Sequence, residues 1–185
     1  MPVNTDPSNS IPLTQRDDAP MAAISRDPTG PGQESVWDYP RPPRVDPSDE
    51  RVELVLGGVV VAHTTESLRV LETSHPPAYY LPYAAFPDGV LVPVAGSTYC
   101  EFKGHASYFD VVAGGARAAR AAWTYRDPSP GFQALREHVA VMPGAMDRCT
   151  VDGEVVRPQA GGFYGGWITA RVTGPFKGEP GTFGW

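Results

Sequence analysis

Apolar and polar residues alternate in short runs between residues 51 and 125, a two-residue period that predicts a mostly β chain. Val52, Leu54 and Leu56 alternate with Arg51 and Glu53. Gly57-Gly58 then turns the chain into Val59-Val60-Val61-Ala62, the return arm of a hairpin. Leu68-Arg69-Val70-Leu71 is compatible with a strand or a helical turn. Ala78-Tyr79-Tyr80-Leu81 and Val90-Leu91-Val92 read as short strands; Thr98 to Phe102 alternates, and Tyr108 to Val112 continues the sheet beyond Gly104. Gly114-Gly115 marks a turn. Arg117 to Ala122 is alanine-rich and helical by propensity, but its flanking turns leave only strand-length room. A strand ending in Trp123-Thr124-Tyr125 is therefore expected.

One short helix is predicted after Ser129, with Pro130 at its first position and Phe132, Leu135 and Val139 on one face. Beyond Pro143, Val151-Asp152-Gly153-Glu154-Val155-Val156 reads as a second hairpin turned by Asp-Gly. Residues 1–33 are rich in Pro, Asp, Ser, Asn and Thr without a hydrophobic period, and a disordered leader is expected there. The body then runs over 34–160. It opens on a strap (34–48) whose Trp37, Tyr39 and stacked prolines suit an extended segment docked on the domain. Residues 161–185 alternate glycine with Phe163, Tyr164, Trp167, Phe176 and Trp185, which predicts a tail wrapped onto the body.

Composition changes this picture in two ways. Gly 20 and Pro 21 approach the range of low-complexity chains, yet 41% hydrophobic residues suffice for a real core. A net charge of −6 without any basic run disfavours nucleic-acid and membrane-surface partners. No charged n-region precedes an apolar stretch, and Cys100 and Cys149 form no C-x-x-C pair, so a cytoplasmic protein with free thiols is expected. Only two lysines, Lys103 and Lys177, stand against thirteen arginines. Oligomeric state is silent in the sequence.

Reactive side chains are densest between Arg69 and Tyr125. Glu72 and His75 flank Thr73-Ser74 in a loop closed by Pro76-Pro77, and a carboxylate close to an imidazole makes an acid–base pair. The plainer reading has Glu72 accepting loop N–H groups while His75 packs beside Tyr79. Strand alternation separates Cys100 from Lys103, and a bend at Gly104 is needed to bring them together. Joined, Lys103 would activate the Cys100 thiol; apart, Cys100 is a small core residue. Lys103 at a strand end reaches either a pocket mouth, to meet an anionic group, or plain solvent. Trp123 and Tyr125, with Tyr79, Tyr80 and Tyr108, can line an apolar cleft with polar tips, or fill a core. His63, His75, His105 and His138 are scattered, so no metal site is expected, nor any cofactor. The absence of G-x-x-x-x-G-K-[ST], G-x-G-x-x-G and G-x-S-x-G disfavours phosphate-loop, Rossmann and serine-hydrolase chemistry.

ESVWDYPRPP at Glu34 to Pro43, LETSHPPAYY at Leu71 to Tyr80, CEFKG at Cys100 to Gly104 with Tyr108, and AWTY at Ala122 to Tyr125 resemble the domain-of-unknown-function 427 family. The likeness covers residues 34–185, and the glycine-rich tail resembles the extended form common in high-GC actinobacteria. It implies a compact, mostly β domain of antiparallel, barrel-like or β-tent-like build. β-tent families often carry paired C-x-x-C zinc knuckles, which this chain lacks. The family is sometimes labelled nucleotidyltransferase-like, but no D-x-D pair after a Gly-Ser turn occurs here to support nucleotidyl transfer.

The resulting expectation is an enzyme acting on a small polar metabolite. Glu72 and His75 would be its acid–base pair, Lys103 its anion contact, Cys100 a further reactive group, and Arg69, Tyr79, Tyr80, Tyr108, Trp123 and Tyr125 its ligand-binding residues. A non-catalytic small-molecule binding module and a structural or interaction domain are the alternatives.

Overall fold

The computed structural model describes residues 24–182 and 184–185. Fifteen strands follow one another along them: β1 (Glu34–Ser35), β2 (Arg44–Ser48), β3 (Val52–Leu56), β4 (Val59–Thr64), β5 (Ser67–Leu71), β6 (Ala78–Pro82), β7 (Leu91–Cys100) and β8 (Gly104–Ala113). Then come β9 (Ala116–Thr124), β10 (His138–Val141), β11 (Arg148–Val151), β12 (Glu154–Val155), β13 (Arg157–Pro158), β14 (Trp167–Ile168) and β15 (Val172–Thr173). An antiparallel seven-stranded sheet runs β2-β5-β6-β10-β9-β8-β7, and a four-stranded sheet runs β12-β11-β3-β4. Both sheets are open, so the fold is not a closed barrel.

The two hairpins read from Gly57-Gly58 and Asp152-Gly153 join β3 to β4 and β11 to β12. Asp152 and Gly153 both have positive φ, the backbone that a two-residue turn needs to follow strand twist. The ambiguous run at Leu68 is strand β5, and the alanine-rich run is strand β9, paired between β8 and β10. The predicted helix is corrected. Only a single 3-10 turn forms at Gln133–Leu135, and Val139 belongs to β10, opposite Leu81 of β6. Strand pairing offers Val139 a fully buried place, which a helix starting at Pro130-Gly131 cannot match.

Period-two alternation explains where the core lies. Tyr79, Leu81, Phe109, Val111, Ala122, Val139 and Val141 point from the large sheet to the small one, meeting Val52, Leu54, Val61, Cys149 and Val151. Tyr80, Ala106 and Ala140, one residue out of step, point to the opposite face with Val70, Tyr125, Phe132 and Leu135. A third cluster, Val36, Tyr39, Leu71, Ile168 and Val172, locks the strap to the tail. β1 lies parallel to β15, and the Trp37 indole donates to Pro175 O at 2.9 Å while its ring meets Trp185 edge-on at 5.2 Å.

The disorder expected for residues 1–23 lies outside the described residues. Residues 24–33, assigned to the same leader, instead pack on the tail: Asp27 N–H donates to Gly174 O at 3.0 Å and Gln33 Nε2 to Ala170 O at 2.7 Å. Those backbone acceptors come from a segment some 140 residues away, so local composition carried no sign of them.

Candidate functional site

The outer face of the large sheet carries a row of side chains set by register. Tyr80 pairs with Ala140, Ala140 with Trp123, and Trp123 with Tyr108, so these residues lie side by side across four strands. Tyr80, Trp123 and Tyr108 floor a cleft of about 570 Å³. The Trp123 indole donates to Tyr80 Oη at 3.1 Å, and Tyr108 Oη meets Thr98 Oγ1 at 2.6 Å. Burial pushes the Tyr80 and Tyr125 hydroxyls above the ordinary phenol value, so both remain protonated donors.

One wall is the loop after β5. The Ser74 backbone adopts φ 70, a left-handed conformation that non-glycine residues rarely take, in a turn closed by His75 N–H donating to Glu72 O at 3.0 Å. Both flanking segments hold it there. Ser74 N–H donates to Val36 O of the strap, Lys177 N–H donates to Ser74 O, and Thr73 Oγ1 donates to Tyr39 O at 2.6 Å. His75 Nδ1 lies 3.0 Å from Thr73 O, and a carbonyl only accepts, so Nδ1 carries the hydrogen. Burial holds the imidazole pKa below its ordinary value, against the opposing pull of Glu72. The ring at neutral pH is therefore neutral, with its lone pair on Nε2.

The second wall is the β7–β8 turn. β7 ends at Cys100, and Glu101-Phe102-Lys103 forms a tight connection back to Gly104, the cross-strand partner of Cys100. Gly104 has φ 94, and a Cβ there would meet Ser129 Oγ at 3.2 Å, so the turn depends on glycine. This turn supplies the bend that Cys100 and Lys103 require, and both line the cleft. The strand expected through Phe102 stops two residues early for the same reason. Lys103 is buried, and its Nζ stands 4.0 Å from Glu72 Oε2 with no hydrogen bond among the described residues. Glu72 Oε1 is 3.3 Å from Arg41 Nη2 of the strap. Glu72 thus sits between two cations, while the Thr73 carbonyl orients His75.

The tail forms the third wall. Tyr164 meets the His75 ring edge-on at 4.9 Å, and Lys177 Nζ stands 5.8 Å over the Tyr164 ring and donates to Trp185 O. Gly165 lies flat on Trp123, where an added Cβ would come within 2.2 Å of the indole. Gln159 fastens this wall, accepting from Gly166 N–H and donating to Lys177 O at 2.7 Å.

Glu72, His75, Cys100 and Lys103 thus share one cleft with Tyr80, Tyr108, Trp123 and Tyr125. Arg69 and Tyr79 do not line it. Each is one residue out of phase with Val70 or Tyr80, and the two face each other across β5 and β6 on the opposite side of the sheet. Arg69 Nη2 donates there to Glu34 Oε1 at 2.6 Å, and Tyr79 Oη to Glu50 Oε2 at 2.7 Å. Lys177, Tyr164, Tyr99 and Arg120 line the cleft and escaped sequence reasoning. Rarity was the available signal for Lys177: both lysines of the chain stand at this one cleft. Cys149 is buried in the core, where desolvation pushes its thiol up to about 12 and leaves it inert. Among the described residues no group of three or more His, Cys, Asp or Glu could hold a metal ion, and no helix is long and apolar enough to cross a membrane.

Residues 44–152 match the family model described as Domain of unknown function (DUF427), with the short name NTP_transf_9, and the chain belongs to this family. No curated protein matches the chain. The matched span contains the cleft floor and the His75 and Lys103 walls. Arg41, Tyr164 and Lys177 come from the flanks on either side of it.

Proposed function

We propose that this protein is a small-molecule enzyme that uses the cleft for acid–base chemistry on a small polar metabolite. The observation that carries the reading is His75: a neutral imidazole whose Nδ1–H is committed to Thr73 O, leaving Nε2 as a proton acceptor on the cleft wall. In this reading His75 is the general base of the acid–base pair expected from Glu72 and His75. Glu72, itself paired with Arg41, sets the charge around Lys103 and holds its ammonium at the cleft wall. Lys103 takes an anionic group of the substrate or polarises its carbonyl. The protonated hydroxyls of Tyr80 and Tyr125 offer donors at the floor.

Binding without turnover is the second reading, favoured by the lack of a hydrogen bond between Glu72 and His75. An unassisted imidazole is the weaker catalyst, and the same cleft would serve a binding module equally well. Melting temperatures of the full chain, measured against a library of small polar metabolites, test the first step. A ligand at 100 times its Kd adds about 2.7 kcal/mol of stability. Nuclear magnetic resonance then follows each hit for chemical conversion. Conversion by the wild type, lost in His75→Asn while the melting shift persists, supports the enzyme. Hits that shift the melting temperature but are never converted assign the binding module.

A further inference from the structure

We infer that the cleft takes a monocarboxylate with an aromatic body, its acid group against Lys103 and its ring against Phe163 at the mouth. This inference rests on reading the cleft as a small-molecule site, and it adds the ligand class.

Charge argues for the acid group. Four side chains of the cleft lining can carry positive charge: His75, Lys103, Arg120 and Lys177. His75 donates to Thr73 O, Arg120 Nη1 to Ala95 O at 2.8 Å, and Lys177 Nζ to Trp185 O. Lys103 alone has no hydrogen bond among the described residues, although 92% of its surface is buried. Its Nζ is not among the buried side-chain atoms that lack a partner, so it opens on the cleft, where an incoming anion supplies the acceptors it is short of. Glu72 answers only part of that need, at 4.0 Å and while also paired with Arg41. With His75 neutral, Lys103, Arg120 and Lys177 against Glu72 and Glu101 leave one positive charge in the cleft lining, the complement of a single carboxylate. A phosphate ester, with up to about two negative charges, exceeds that single positive charge.

Exposure argues for the ring. The cleft floor is buried, with Tyr80 at 1% exposure and Tyr125 at 5%. Its mouth carries the opposite pattern: Phe163, from the tail, is 80% exposed and leans on Tyr164 at 5.1 Å. Tyr99, the other exposed large aromatic side chain among the described residues, leans on its cross-strand partner His105 at 5.0 Å, on the face of β7 and β8 away from Thr98, Cys100 and Tyr108. Uncovered apolar surface at a pocket rim gains most from an aromatic group laid across it.

Calorimetric titration of the full chain tests both halves. Benzoate, phenylacetate, indole-3-acetate and 2-naphthoate are each compared with the alcohol that replaces their carboxylate, and with acetate and phenyl phosphate. The expected result is at least one aromatic acid binding about tenfold or more tighter than its alcohol and than acetate. Lys103→Met removes the preference over the alcohol. Phe163→Ser removes the preference over acetate; the site is solvent-facing, so an unchanged melting temperature verifies the fold. The inference is overturned if every acid binds no better than its alcohol, if the acid preference survives Lys103→Met, or if phenyl phosphate outbinds all four acids. Turnover of a non-aromatic metabolite with no aromatic acid bound would sink this inference and leave the enzyme reading standing. Tight aromatic-acid binding with no conversion of any hit would do the reverse.

Discussion

The two faces of the sheet at β5 and β6 carry the same kinds of residue to opposite ends. On the inner side Arg69, Tyr79, Glu34, Glu50 and Arg171 form a network sealed from the cleft: Glu34 meets Arg69 and Arg171, and Glu50 accepts from Tyr79, Ser48 and Arg171. On the outer side Glu72, Lys103, His75 and Tyr80 leave an ammonium without hydrogen bonds and an imidazole nitrogen facing a cleft. Residue type does not separate a structural network from a functional site. Access from a cleft does, since the inner face also keeps a buried donor without a partner, Arg69 Nε, 4.0 Å from Glu50 Oε2. The inner carboxylates spend their lone pairs tying strap, sheet and tail together, whereas the outer cations keep capacity in reserve.

Arg69→Ala probes the closed face hardest. It leaves Glu34 and Glu50 partly unpaired in a buried place, although Arg171 still reaches both, and the expected loss is about 3 kcal/mol of stability. Urea unfolding measures it. Ligand affinity of the fraction that remains folded should not change, because Arg69 is absent from the cleft lining. An affinity change at full folding would break the division between the faces.

Gly165→Ala comes next, striking the tail wall. Its Cβ would collide with the Trp123 ring at 2.2 Å, so either the tail lifts or the indole turns. A cost of about 2 kcal/mol is expected, with a red-shifted tryptophan emission as Trp123 gains water. An unaltered spectrum and stability would mean that the tail does not rest on Trp123.

Lys103→Met reverses the logic of Arg69→Ala. Removing an ammonium that lacks hydrogen bonds leaves Glu72 with Arg41, and the expected stability change is less than about 1 kcal/mol. Ligand binding should be lost all the same. A loss as large as that of Arg69→Ala would place Lys103 in a structural network after all.

The same alternation rule that drew the sheet also separates these faces, and it was legible. Tyr79 and Tyr80 are consecutive strand residues and must diverge, as must Arg69 and Val70. Grouping Tyr79 and Arg69 with the cleft overrode the period in favour of chemical type. Glu72, His75 and Lys103 were legible for a different reason: a proline-closed loop and a glycine-ended turn are local features that hold side chains in place by themselves. Lys177, Tyr164 and Gln159 were not, because a tail of glycine and aromatics has no period. Its position comes from backbone bonds to Ser74 and Pro77, roughly 100 residues away. The helix after Ser129 failed in the same way, since the pairing of Val139 with Leu81 is tertiary.

Acid sensitivity is the smallest effect and tests the outer face most finely. Burial lowers the His75 pKa in the folded chain below the ordinary value of 6.5. The unfolded chain therefore takes up the proton first as pH falls. Stability is fully present above 6.5, and it declines as pH drops from there towards the folded pKa. His138 shifts in the same direction for the same cause, so two histidines share the slope. His75→Asn keeps an N–H donor for Thr73 O and removes the titrating group. Urea midpoints measured from pH 7.5 to 5 should fall less steeply in this variant than in the wild type, with the His138 share left behind. A slope made steeper by the substitution would mean that the folded imidazole keeps its proton near neutrality. The outer face would then lose its proton acceptor, and the cleft would be one more cation site among those that bind without catalysing.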